Sequence, residues 1–178
     1  FRWILSSAAG MLVLLMGAIG GMLLLGAWPV LKSAGPAFFV RTDWDPVQQS
    51  FGAAAFLYGT VVSSLLALLF SVPVSIGVAL FLSEIAPAWI ARPIQFLVEM
   101  LAAIPSVIYG LWGVFILAPF LRDSVEPWAI EHLGEVLPFF QGPPFGVGML
   151  AAGLILAIMI TPTIASITRE LFQTVSMP

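Results

Sequence analysis

Three charged residues stand where the chain is otherwise apolar: Glu99, Arg169 and Glu170. A carboxylate inside a membrane helix costs about 3 kcal/mol on insertion scales, so Glu99 must face protein or water, pair with a cation, or carry a proton. Arg92, two helical turns earlier, is a candidate partner. As a packing acid, Glu99 would tolerate replacement by Gln; as part of a permeation path it would not. Arg169 offers a planar fork of donors suited to oxyanions. At the edge of an apolar run it reads equally as a membrane anchor or as a contact for an anion. Adjacent helical residues do not face each other, so Arg169 and Glu170 are expected to make separate contacts.

Other chemistry is thinly provided for. The chain has no Cys and one His, which excludes disulfides and thiolate sites. His132 has no second His for a zinc site and supplies no credible Ser-His-acid order. The single lysine, Lys32, follows Leu31, so no Gly-Lys-Ser/Thr phosphate loop is present. Gly146-x-Gly148-x-x-Ala151 touches a dinucleotide pattern but follows Pro143-Pro144 rather than a strand. Neither an enzyme nor a cofactor or metal is expected. A net charge of −3 over 178 residues excludes an electrostatic nucleic-acid binder.

The elements that position these residues are membrane helices. Hydrophobic residues make up 61% of the chain and charged residues 8%, against about 25% charged in soluble domains. Mean hydropathy is +1.10. No charge falls between Arg2 and Lys32 or between Asp45 and Glu84. A spanning helix needs about 20 apolar residues. Four spans are therefore predicted, near 4–28, 53–82, 94–121 and 147–168. Ile4 to Trp28 is too long for a signal-peptide core, and no small-residue cleavage site follows. Nothing alternates with period two, so barrel strands are excluded. The chain begins at Phe1 and stops at Ser176-Met177-Pro178, which reads as a fragment of something longer.

The connecting segments are distinct. Residues 32–51 are polar and turn-rich, 83–93 are short, and 122–146 are acidic before Gly142-Pro143-Pro144. Within the last, Pro127 to Leu137 is expected to form a short interfacial helix, with Asp123 or Ser124 as cap. Lys and Arg divide three and three between the two sides, so the positive-inside rule decides little. The compact loop with Arg92 favours both ends inside, leaving 32–51 and 122–146 outside. Gly59, Ser63, Ala67, Ser71 and Ser75 repeat every fourth position and predict a close-packing seam on the second span. Pro73, Pro105 and Pro162 stand well inside the last three predicted spans. Each removes a backbone donor and is a candidate helix break where carbonyls could line a path.

Several stretches carry a resemblance. Phe56-Leu57-Tyr58-Gly59-Thr60-Val61-Val62-Ser63-Ser64 and Ser71-Val72-Pro73-Val74-Ser75-Ile76-Gly77-Val78-Ala79 resemble the first core helix of type I ABC importer permeases. Ala102-Ala103-Ile104-Pro105-Ser106-Val107-Ile108-Tyr109-Gly110-Leu111-Trp112-Gly113 is the most specific. With Ser83-Glu84-Ile85-Ala86-Pro87 and Ile160-Thr161-Pro162-Thr163-Ile164-Ala165-Ser166-Ile167-Thr168-Arg169-Glu170, it resembles the C-subunit permeases of phosphate-specific (Pst) ABC importers. The resemblance implies an all-α, multi-pass protein of the bacterial inner membrane, holding four helices of a six-span fold. Residues 1–51 would be a first transmembrane helix and periplasmic loop, and 52–178 the N-terminal part of the permease domain. It also implies a sister A-type permease subunit, a cytoplasmic ATPase dimer that hydrolyses the ATP, and a periplasmic phosphate-binding protein. The ATPase-coupling loop would lie beyond Pro178. In such permeases a charged pair after the fourth span is tied to phosphate passage. Arg169 matches its arginine, with Glu170 beside it and Gln173 near the acidic position. A permease for sulfate or molybdate and a non-transporting membrane scaffold are the alternative readings.

Overall fold

A computed structural model of the chain describes residues 2–48, 50–137 and 141–175. It forms two compact units, Phe1–Tyr58 and Gly59–Pro178.

The first unit is built on α1, Arg2–Ala34. This helix is apolar all round and none of its residues is buried, the pattern of a helix whose solvent is lipid. Lys32 lies in its last turn, where a cation meets the negative end of the helix dipole. Gly35 then adopts φ +58°, the left-handed conformation that ends helices without a Cβ penalty. A 3-10 turn, Gly35–Phe39, leads to a minimal hairpin of β1 (Trp44–Asp45) and β2 (Ser50–Phe51). Asp45 Oδ1 accepts the amides of Val47 (2.9 Å) and Gln48 (3.1 Å), an Asx turn. Trp44 packs edge-on against Phe51 and Phe56. A Cβ on Gly52 would run into the Arg41 carbonyl.

Helix α2, Ala54–Leu80, begins in the first unit and continues through the second, ending in a π turn over Phe81–Ile85. Its buried residues are Ala67, Ser71, Ser75 and Ala79, the small-residue stripe. Ser75 of this stripe reaches α5, Met149–Val175. Ser75 Oγ donates to the Thr161 carbonyl at 3.1 Å. Higher in the seam, a Cβ on Gly153 would sit 2.7 Å from Leu66 Cβ.

The predicted third span is corrected. The helix does not run through 94–121. It stops as α3, Ala88–Ala103, and restarts at Ser106. Pro105 is the cause: a residue before proline is pushed to extended backbone, and Ile104 sits at φ −68°, ψ 128°. At about 1.5 Å per residue, sixteen-residue α3 is too short to span a core of about 30 Å. Tyr109 Oη donates at 2.8 Å to the Leu101 carbonyl, which also accepts the Ile104 amide at 3.3 Å as α3 ends.

The third long apolar helix is instead α4, Ser106–Leu133. It contains π turns at Gly113–Leu117 and Leu121–Val125. Gly113 is buried, and a Cβ there would run into Ile155 of α5. A separate interfacial helix at Pro127 to Leu137 is likewise corrected: Glu126–Leu133 continues α4. Asp123 and Ser124 lie inside the second π turn and cap nothing; Asp123 pairs with Arg122 at 2.8 Å. Residues 138–140 lie outside the described residues. The Gly146 amide donates to Glu126 Oε2 at 2.9 Å, tying the loop before α5 to α4.

Candidate functional site

Helices α3 and α5 pack along each other with the π turn after α2 beside them. Between them lies a cavity of about 200 Å³. One wall is Ala165, Ser166, Arg169, Glu170 and Gln173 of α5; the other is Gln95, Val98 and Glu99 of α3, with Leu82 completing it. The spacing explains the first wall, since residues three and four apart share a helix face. The structure thus brings Glu99, Arg169 and Glu170 to one cavity.

Glu99 does not take Arg92 as its partner. Its Oε1 accepts Gln95 Nε2 at 2.8 Å. Arg92 is exposed and does not line the cavity. Among the described residues the ion pair is Arg122–Asp123, so neither Glu99 nor Glu170 neutralises Arg169 within 4.0 Å. The Arg169 Nε is buried without a hydrogen-bond partner. An unsatisfied buried donor costs about 1–3 kcal/mol, more when charged. The cavity therefore holds a cation with unspent donor capacity opposite a carboxylate with unspent acceptor capacity.

Of the three prolines, Pro105 stands at the α3–α4 break, N-terminal to Ser106. Pro73 and Pro162 sit within continuous α2 and α5; Pro162 is buried and Pro73 exposed. None of the three lines the cavity. His132 stacks on Trp128, with Nδ1 2.9 Å from the Trp128 carbonyl. Sequence reasoning missed Gln95 and Ser166. For Gln95 a signal existed: it stands four residues before Glu99, one helical turn along the same face.

No protein-family model matches the chain, and no solved structure matches it significantly. Curated relatives do. A phosphate transport system permease protein PstC of Haemophilus influenzae is 48% identical over 91% of this chain and 52% of its own length. Its counterpart from Xylella fastidiosa is 44% identical over 98% of this chain and 55% of its own. The chain belongs to the PstC permease family. Similarity extends to a probable PstC of Methanocaldococcus jannaschii, at 33% identity over 97% of the chain. The chain spans about half the length of the curated relatives it matches. With four helices long and apolar enough to cross a membrane, it is an all-α, multi-pass protein of the bacterial inner membrane.

Proposed function

We propose that the chain is part of the permease subunit of an ATP-driven importer, passing inorganic phosphate from a periplasmic binding protein to the cytoplasm. On this reading it pairs with an A-type sister permease, and a cytoplasmic ATPase dimer supplies the energy. Residues 1–51 form an entry helix with a periplasmic loop, and 52–178 the first part of the transport domain. The observation that carries the reading is Arg169 in the α3–α5 cavity, its Nε buried and unpartnered, in a chain akin to phosphate transport permeases.

Guanidinium pairs with phosphate oxygens through two parallel donors. A membrane anchor needs only charge; a phosphate contact needs the fork. The decisive test is phosphate uptake by the full-length protein with its partner subunits. Arg169→Gln should abolish uptake while membrane level and assembly stay normal. Near-normal uptake by this variant would reduce Arg169 to an anchor. Competition by sulfate or molybdate equal to that by phosphate would assign a different oxyanion. For orientation, cysteines replacing exposed Ser33 and Glu131 should label from the periplasmic side alone; cytoplasmic labelling of either would invert the topology.

A further inference from the structure

We propose that Glu99 is a specificity-determining residue: it accepts a hydrogen bond from a proton-bearing oxyanion docked on Arg169, and so refuses oxyanions that carry no proton. This rests on the reading of the α3–α5 cavity as a phosphate site.

The two residues stand on opposite walls, Glu99 on α3 and Arg169 on α5. Neither is spent on the other, since no ion pair joins them. An ionised carboxylate is acceptor-only, with about four lone-pair sites on two oxygens. Gln95 occupies a site on Oε1. The amide also holds the carboxylate at a set place on α3, one turn along from its own backbone. The cavity, at about 200 Å³, equals the liquid volume of about seven waters at ~30 Å³ each. That is room for one tetrahedral oxyanion of five heavy atoms.

Such an anion meets a guanidinium from one side and a carboxylate from the other. Inorganic phosphate at neutral pH keeps at least one P–OH group, which can donate to Glu99 while its bare oxygens accept from Arg169. Sulfate has only acceptors. It would face Glu99 with like charge and no hydrogen to offer, leaving two acceptors in opposition. Discrimination of this kind works by penalising the wrong ligand. Sites built to bond a ligand hydroxyl reject the analogue that lacks it far more strongly than apolar pockets reject a size change. Glu99 and Glu170 are both exposed, but Glu170 shares the α5 wall with Arg169, and Glu99 stands on α3 across the cavity from it. Glu99→Gln converts the acceptor into a side chain with an N–H to give, which sulfate can take.

The test is displacement of radiolabelled inorganic phosphate from the full-length complex in nanodiscs, with the binding protein left out so that its own selectivity plays no part. In the unmodified complex, arsenate, which keeps an As–OH group, should displace phosphate. Selenate, close to arsenate in size but fully deprotonated, should fail, as should sulfate. In Glu99→Gln, phosphate binding should persist while sulfate and selenate become about tenfold or more stronger competitors relative to phosphate. Glu131→Gln, remote from the cavity, should discriminate as the unmodified complex does. Equal displacement by arsenate and selenate in the unmodified complex overturns the proposal without any variant. So does an unchanged sulfate-to-phosphate ratio in Glu99→Gln when Arg169→Gln has lost phosphate. Undiminished phosphate binding by Arg169→Gln overturns the cavity reading and the proposal together.

Discussion

Helix α5 makes two contacts of opposite character. Toward α2, whose Ala67, Ser71, Ser75 and Ala79 are all buried, it is tied through Ser75 and the Thr161 carbonyl, and Gly153 has no room for a methyl group beside Leu66. Toward α3 it leaves a cavity walled by Gln95, Glu99, Arg169 and Glu170. Small side chains carry little rotamer freedom and let backbones approach, so the seam is shut. Long polar and charged side chains need partners, and they line a cavity between α3 and α5 although these helices pack along each other. In the seam, a polar group finds its partner inside the protein: Ser75 reaches the Thr161 carbonyl. In the groove, the Arg169 Nε finds none. The Ser71 Oγ of the seam is unpartnered as well; what sets the groove apart is that its unpartnered donor belongs to a charged guanidinium lining a cavity.

Four substitutions would break or sharpen this contrast. The largest effect is expected at Gly153→Leu. The new side chain would overlap Leu66, and overpacking costs about 1–3 kcal/mol or more. The full-length protein should fall to trace levels in membrane fractions, with uptake lost in proportion. Normal levels would mean the seam has slack. Second is Arg169→Lys in the groove. It keeps charge and loses the fork, so phosphate uptake should drop clearly at unchanged membrane level; full uptake would show that charge alone suffices.

The smaller effects lie within the seam. Ser75→Ala removes the bond to Thr161. Interhelical hydrogen bonds in membranes average about 0.6 kcal/mol, so the purified complex should unfold a little earlier on heating. Ser71 is the counterpart: its Oγ is buried without a partner. Ser71→Ala deletes an unsatisfied group of the kind that costs free energy to bury, and the complex should melt at the same temperature or slightly higher. Equal destabilisation by the two serine variants would erase the distinction.

Much of this was legible along the chain. Charges are scarce, and each marks a boundary or a site. The apolar runs located three of the four long helices to within a few residues at most ends. The predicted 4–28, 53–82 and 147–168 correspond to Arg2–Ala34, Ala54–Leu80 and Met149–Val175. Four-residue spacing from Gly59 to Ser75 marked the seam before its partner was known. Scarcity likewise singled out Glu99, Arg169 and Glu170.

The third predicted span failed for a reason that hydropathy cannot register. Apolar side chains continue through Ala102, Ala103 and Ile104 into Val107, whereas the backbone is turned out of the helix by the proline ring at Pro105. At the other end, Arg122 and Asp123 bounded the apolar run, yet charged residues at a membrane edge keep a helical backbone while their heads reach water; α4 therefore continues to Leu133. Residue types alone determined that the chain lives in lipid and which side chains could meet an anion. Only the tertiary structure decided that Glu99 and Arg169 face one cavity, and that Gln95 rather than Arg92 holds the acid. Periodicity defines the faces of a single helix, but which faces meet depends on packing between helices far apart in sequence.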